Sequence, residues 1–324
     1  MEQVFTKTKI DELIQLCFPS NHPTKILLVL QEGRMLILSE DCENKSDNVL
    51  LDWIERDLIE KNFEEGLLGL ALHPLFQENR LLYAYHTMQN PKRTVVTDLL
   101  MLDDAKELIW DQSYEREIIS ISQPFWNHNS GIPCFGPDGY LYLSTSGEGK
   151  ANDPKRFSQN TFSLLSKILR IDADSKDSSF EYKIPPGNPF IKVPGFRVEI
   201  CAVGLRNLWR LSWDYLSGNF LRADVGQHKL EEWCTKVKST EYLKGSIFWR
   251  LGNRNVLGAL YGRRIGHDAT ILVKRKHDTY YPSPGQTLGR RIAPFKPVNF
   301  HDVLDGEIYA LGRKGQIYLI FNKS

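Results

Sequence analysis

Short apolar segments between Gly, Asp and Pro residues recur along the chain and predict strands. These segments are rich in β-branched, aliphatic and aromatic side chains, and several follow a turn such as Pro137-Asp138-Gly139. Asp-Gly supplies the positive φ that a tight hairpin loop requires. Six segments show the pattern: Gly33–Leu38, Arg80–His86, Asp138–Thr145, Gly218–Ala223, Asp305–Leu311 and Gly315–Phe321.

The spacing of these strand-and-turn units indicates a repeated architecture. Units recur at roughly 40–60 residues with long loops between them, as expected when four-stranded sheets repeat around an axis. Helical periodicity is confined to Lys9–Cys17 and Asn160–Leu169, and the second segment is compatible with a single turn. We expect an N-terminal segment at 1–20 and one all-β domain at 21–324.

Composition narrows the class of protein. The chain has 324 residues, of which 41% are hydrophobic and 25% charged, which is ordinary globular usage. The net charge of +1 lacks the basic excess of a dedicated nucleic-acid-binding protein. No stretch approaches the ~20 apolar residues of a membrane span, and residues 1–20 lack the apolar centre of a signal peptide. Five scattered Cys predict neither a disulfide scaffold nor a zinc site.

Charge is unevenly distributed along the chain. Residues 235–300 contain 13 Lys and Arg against three acidic residues, so this segment carries about +10 while the rest of the chain is acidic. Such a segment either presents a basic surface to a polyanion or forms a solvated face.

The segment Phe125–Gly131 holds the first candidate for chemistry, His128 between two Asn residues. A His on a loop before a strand is suited to act as a general base, because its pKa of ~6.5 lies near neutral pH. The alternative is a structural His bonded to a neighbouring carbonyl.

Two further clusters are candidates for ligand binding. Arg206 and Arg210 are four residues apart and suit an anion clamp, or else pair with acidic residues at the surface. The turn that begins at Asp224 is rich in oxygen ligands for a hard cation, or is simply a capped turn. A third group of acidic residues lacks the pattern of a calcium loop, and we interpret its members as turn residues: Asp172, Asp174 and Asp177.

Read in order, these clusters resemble the glucose/sorbosone dehydrogenase family, most nearly its hedgehog-interacting-protein-like branch. The matching motifs lie within about residues 60–233. They are Glu64–Pro74, Asn127–Gly131, Phe135–Tyr142, Ser163–Asp172, Ile184–Phe190, Gly204–Arg210 and Asp224–Gln227.

The resemblance implies a six-bladed β-propeller whose dehydrogenase members bind pyrroloquinoline quinone (PQQ) and calcium at the central channel. It implies that His128 is the general base for sugar oxidation, while the cofactor accepts the hydride. We expect His128 and Arg206 to face each other across a small-molecule pocket at one channel mouth, about a cofactor's width apart. The implied cofactor contacts are Glu64, Asn129, Arg206 and Asn207, and the implied calcium ligands are Gly226 and Gln227.

Three departures from the family pattern bear on activity. Glu64 replaces a quinone-contacting Gln, and its carboxylate should repel the negative charges of PQQ. Asn127 replaces an Asp found in some dehydrogenases. After Glu232 the chain omits a family segment, which predicts a shortened or incomplete fifth region of the propeller.

Two functions therefore remain open from the sequence. The first is a non-catalytic or weakly active propeller that binds a protein or an anionic glycan. The second is a PQQ-dependent aldose sugar dehydrogenase that acts on a small-molecule sugar. Family resemblance implies a secreted or periplasmic protein, although the first residues show no signal peptide.

Overall fold

A computed structural model provides the fold. It describes residues 2–4, 10–19, 22, 24–39, 48–54, 64–104, 107–147, 149, 153, 155–214, 219–224, 232–235, 297–302, 308–312 and 317–320.

Nearly all regular structure in these residues is β-strand. The strands are β1 (Glu2–Val4), β2 (Leu13–Cys17), β3 (Lys25–Leu30), β4 (Arg34–Ser39), β5 (Asn48–Asp52), β6 (Leu67–Leu72), β7 (Leu81–Met88), β8 (Arg93–Asp104), β9 (Glu107–Ser122), β10 (Pro133–Phe135), β11 (Leu141–Thr145), β12 (Lys167–Ile171), β13 (Ile200–Ala202), β14 (Leu208–Asp214), β15 (Asn219–Asp224), β16 (Glu232–Thr235), β17 (Pro297–Asp302), β18 (Ile308–Gly312) and β19 (Ile317–Ile320). One short helix, α1 (Phe76–Asn79), lies between β6 and β7. Within the described ranges no helix has the length and apolar character needed to cross a membrane.

The strands form five antiparallel sheets in chain order. Four of these sheets are meanders of consecutive strands: β2–β5, β6–β9, β10–β13 and β14–β16. The fifth sheet contains β17, β18 and β19, and it takes its outer strand from the start of the chain, because β1 pairs with β19. The N-terminal strand thus completes the last sheet of the chain as its fourth strand.

The sheets are arranged around an axis. Their first strands contact one another in the succession β17, β2, β6, β10 and β14, which places these strands innermost. The predicted all-β propeller is therefore confirmed. The predicted shortening of the fifth region falls on residues 236–296, which lie outside the described residues.

The structure confirms the six predicted strand segments, and neither of the two segments with helical periodicity is a helix. Leu13–Cys17 is a strand with every residue buried, not the end of a helix at Lys9–Cys17. A strand that is covered on both faces shows no apolar and polar alternation, so its pattern is easily mistaken for a helical one. Asn160–Leu169 is not a helix either: it consists of turns followed by the start of β12.

Apolar side chains fill the space between neighbouring sheets. Tyr83 of the second sheet meets Phe135 of the third edge to face, with ring centroids 5.2 Å apart. Both belong to a buried cluster that also includes Leu141 and Leu169. Each sheet is thus held by burial against the next, and the ring depends on the continuity of this packing.

At the axis the inner strands approach so closely that backbone meets backbone. A Cβ atom on Gly69 of β6 would lie 2.3 Å from the carbonyl oxygen of Gly131, which precedes β10. Gln15 of β2 bridges to Leu70 of β6 through two hydrogen bonds of 2.8 Å. Arg210 of β14 reaches the carbonyl oxygen of Ile14 in β2, at 3.1 Å. Small and polar side chains therefore close the centre of the ring.

One buried His makes the stability of this fold depend on pH. His86 of β7 is 4% exposed, packs against Trp53 with ring centroids 4.6 Å apart, and lies 3.0 Å from the hydroxyl of Thr97. Burial disfavours the charged imidazole and lowers the pKa of His86 from 6.5 to about 3.

We expect His86 to contribute to acid denaturation. As pH falls from 6.5 towards 3, the unfolded chain binds a proton at this His and the folded protein does not, so the free energy of unfolding falls. The expected loss is on the order of 4 kcal/mol over this interval, at about 1.4 kcal/mol per pKa unit. His86→Gln, which is neutral throughout, should show a shallower dependence in urea unfolding between pH 7 and 4. Parallel curves for the two proteins would contradict this assignment.

Candidate functional site

Three segments that precede inner strands meet at one end of the ring. Glu64 precedes β6, the loop at 123–132 precedes β10, and Arg206-Asn207 precedes β14. The ends of β11 and β15 reach the same level because these strands run antiparallel to β10 and β14. This convergence forms the candidate site, at one mouth of the channel.

The His128 loop is buried and conformationally unusual. His128 and Ser130 have φ values of +61° and +62°, in the left-handed region that residues other than Gly rarely adopt. The centre of the loop is enclosed, with His128 7%, Asn129 1% and Ser130 0% exposed, whereas Trp126 at its start is 48% exposed. A backbone held in this region costs about 1–3 kcal/mol per residue, so surrounding contacts must maintain it.

Hydrogen bonds to backbone carbonyls hold this loop in place. The side-chain amide of Asn129 donates to the carbonyl oxygen of Trp126 at 2.8 Å, and that of Gln123 donates to His128 at 3.4 Å. The Tyr85 hydroxyl lies 3.1 Å from the carbonyl oxygen of Asn129. The Asn129 side chain therefore braces the loop from within.

Glu64 is bound to the same loop. Its Oε2 atom accepts a hydrogen bond from the backbone amide of His128 at 2.6 Å. A short bond from an amide to a carboxylate is among the stronger hydrogen bonds. The substitution identified from the sequence thus places a carboxylate directly against the backbone of the candidate base.

Arg206 and Asn207 are held by a carboxylate that the sequence analysis did not select as a site residue. Asp224, at the end of β15, accepts hydrogen bonds from the backbone amides of both Arg206 (2.9 Å) and Asn207 (2.6 Å). The carbonyl of Arg206 in turn accepts from the amide of Gly147 at 3.1 Å. The sequence indicated Asp224 only as the start of an oxygen-rich turn, because its partners lie 17 and 18 residues away.

The side chains of His128 and Arg206 are in direct contact. An Nη atom of Arg206 lies 3.1 Å from Nε2 of His128. A guanidinium can only donate, so Nε2 is the acceptor and the proton of the neutral imidazole is on Nδ1. The sequence correctly predicted that the two would meet at one mouth, but the predicted separation is wrong, because the long Arg side chain spans the gap.

Buried hydroxyls connect the His128 loop to Asn207. The Oγ atom of Ser146 donates to Oδ1 of Asn207 at 2.7 Å, and the Oγ atoms of Ser130 and Ser146 are also hydrogen-bonded. Because the hydrogen of Ser146 is used on Asn207, Ser130 is the donor to Ser146. The sequence analysis did not select either Ser as a site residue, and their position beside Gly131 and Gly147 at strand ends was the available signal.

Of the seven predicted site residues, five come together: Glu64, His128, Asn129, Arg206 and Asn207. The predicted calcium ligands Gly226 and Gln227 lie outside the described residues. Among described residues no three His, Cys, Asp or Glu side chains form a metal-binding group. Asp172 and Asp177 accept hydrogen bonds from nearby backbone amides, and Asp174 lies in a turn and contacts Nε2 of His73 at 2.9 Å.

The chain belongs to the glucose/sorbosone dehydrogenase family. The family model described as Glucose / Sorbosone dehydrogenase matches residues 15–242. The HIPL1 protein of Arabidopsis thaliana is 32% identical over 54% of this chain and 32% of its own length. The human Hedgehog-interacting protein is 25% identical over 59% of this chain and 28% of its own length. The matches thus span about a third of these relatives.

Solved structures share the propeller fold. A protein of Thermus thermophilus described as a glucose dehydrogenase is 23% identical, with a TM-score of 0.70 over 97% of this chain and 98% of that chain. The PQQ-bound aldose sugar dehydrogenase of Streptomyces coelicolor is 21% identical, with a TM-score of 0.57 over 100% and 81%. At these identities the likeness establishes the fold and not the activity.

We expect Asp224→Asn to loosen the Arg206 segment. The amide group of Asn can accept from one backbone N–H but presents a donor to the other, so the free energy of unfolding should fall by about 2–3 kcal/mol. The contact of Arg206 with His128 should weaken, which would shift the ring ¹⁵N resonances of His128. Urea unfolding and NMR provide these two measurements.

Asp111→Asn is the matched control, since Asp111 is bonded locally to Ser113. Equal unfolding curves for the two variants, together with unchanged His128 resonances, would contradict the role assigned to Asp224.

Proposed function

We propose that this family member is a binding propeller with little or no catalytic turnover, and that it holds a protein or an anionic glycan. The observation that carries the proposal is the contact between Arg206 and Nε2 of His128, at 3.1 Å. A general base needs a lone pair within reach of the proton that it removes. Here that lone pair accepts a hydrogen bond from a permanent cation.

The charges at the site also argue against PQQ. Arg206 is bonded to His128, while Glu64 lies against the backbone of the same residue. The amide nitrogen of Asn129 and the oxygen of Asn207 are bonded within the protein, and Oδ1 of Asn129 is buried with no hydrogen-bond partner among the described residues. This donor set offers one cation and one opposing carboxylate to a quinone that bears several carboxylates. The described residues therefore do not fit PQQ well.

Two observations, one on charge and one on the relatives, support the proposed class of partner. Residues 235–300 carry an excess of about ten positive charges, which suits a polyanion. The relatives include a protein named for its interaction with Hedgehog. Both points favour a macromolecular partner over a small neutral sugar.

A second candidate is a PQQ-dependent aldose sugar dehydrogenase with His128 as general base. It is favoured by the enclosed, left-handed His128 loop and by the fixed position of Arg206, since strained backbone clusters at active sites. In that function Arg206 would have to leave His128 and contact the cofactor.

A cofactor titration distinguishes the two candidates. We expect no saturable PQQ binding in the presence of calcium, and no reduction of a dye acceptor when aldoses are added. The dehydrogenase candidate predicts turnover that falls by ~10²–10⁴ in His128→Gln. Dye reduction by the unaltered protein that is lost in His128→Gln would replace the binding proposal with the enzyme.

Binding to an immobilised sulfated glycan tests the polyanion surface. We expect retention on heparin that weakens as salt rises, because exposed charges are screened. Reversing the charges of Arg263, Arg264, Lys274 and Arg275 should reduce retention. The matched control reverses four exposed charges elsewhere: Lys155, Arg156, Lys176 and Lys192. Equal loss in the two variants would attribute retention to net charge alone and argue against a defined surface.

A further inference from the structure

Arg210 is a buried cation near the centre of the ring. It lies on β14, is 5% exposed, and its guanidinium donates to the carbonyl oxygens of Trp209 and Ile14, both at 3.1 Å. A Cβ atom on Gly131 would lie 2.8 Å from one Nη atom, so the first, third and fourth sheets meet at this group.

The donors of this guanidinium exceed its acceptors. A guanidinium has five N–H groups, and two carbonyl oxygens accept from Arg210 in the described part of the chain. Its Nε atom is buried without a hydrogen-bond partner there. Unused buried donors are costly, and those of a charged group more so.

The guanidinium of Arg210 lies over the ring of Trp209, 4.8 Å from its centroid, but no carboxylate among the described residues pairs with it. Each ion pair found among the described residues is made by other side chains, and none involves Arg210. Burial alone lowers the pKa of Arg210 to about 9. Removing an unpaired ion from water costs several kcal/mol. Two neutral carbonyls satisfy two donors but leave the charge without a counterion.

We propose that a small monovalent anion, a halide or a short carboxylate, binds to the guanidinium of Arg210 at the axis of the propeller. An anion supplies both the missing acceptor and the missing charge, whereas a water molecule supplies only the acceptor. The ligand must be small, because the backbone segments at Gly69 and Gly131 are close to each other and Gly131 is close to the guanidinium of Arg210. This site is separate from Arg206 and does not depend on the function proposed for the channel mouth.

Anion-dependent stability tests the proposal. The intact protein is exchanged into a buffer whose anion is a bulky sulfonate, and urea unfolding is followed as chloride, bromide or formate replaces the sulfonate at constant ionic strength. We expect a saturable rise in the unfolding midpoint, since a ligand that binds only the folded state stabilises it. A halide-specific rise identifies a halide site, and a rise confined to formate identifies a carboxylate site.

Arg210→Met should abolish the anion dependence, whereas Arg156→Met, which removes an exposed guanidinium, should retain it. If Arg210→Met does not fold, crystals of the unaltered protein soaked in bromide provide a second measurement. Anomalous density within hydrogen-bond distance of the Arg210 guanidinium supports the proposal. Stability that is equal in all anions, or a protein carboxylate found against Arg210 in the crystal, would overturn it.

Discussion

The convergence of the inner strands on one axis is the constraint from which the rest of the structure follows. Neighbouring sheets bury apolar faces against each other, and this packing brings β2, β6, β10 and β14 together at the centre. Side chains there must be small or must satisfy exposed backbone groups, as Gly69, Gln15 and Arg210 do. Segments that precede the inner strands are carried to the same end of the ring, so residues as distant as Glu64 and Arg206 become neighbours.

At that end several polar groups are bonded to one another, although the side-chain oxygens of Gln123 and Asn129 have no hydrogen-bond partner among the described residues. Asp224 fixes the backbone of Arg206, whose side chain reaches His128, and Glu64 holds the amide of His128. A network of this kind pre-organises its members, but each bond to a protein group is also a bond that a ligand must replace. Family membership therefore constrains the architecture here more closely than it constrains the chemistry.

The sequence predicted those features that depend on local chemistry. Turn residues marked the strand segments, and the motifs at His128 and Arg206 identified two segments that do meet. The features that the sequence analysis did not predict depend on tertiary contacts. Leu13–Cys17 is buried on both faces, so its pattern lacked the alternation of a strand. Ser146 bonds Asn207 across 61 residues, and Asp224 lies 18 residues from Arg206, which no spacing rule reveals. The distance between the His128 ring and the Arg206 guanidinium depends on how far the Arg206 side chain extends, which the sequence does not show.

The two guanidinium groups that the sequence suggested for one anion clamp contact different parts of the protein. Arg206 lies in the segment before β14 and contacts His128, whereas Arg210 lies within β14 and donates to the carbonyl oxygen of Ile14 in β2. A register irregularity between Leu208 and Arg210 further changes the direction of the second side chain. Arg206 therefore belongs to the mouth, where its side chain contacts His128, and Arg210 belongs to the axis, where no described carboxylate pairs with it. Because a buried charge acts through a medium of low polarity, the state of Arg210 must influence the potential that any charged ligand meets at the mouth.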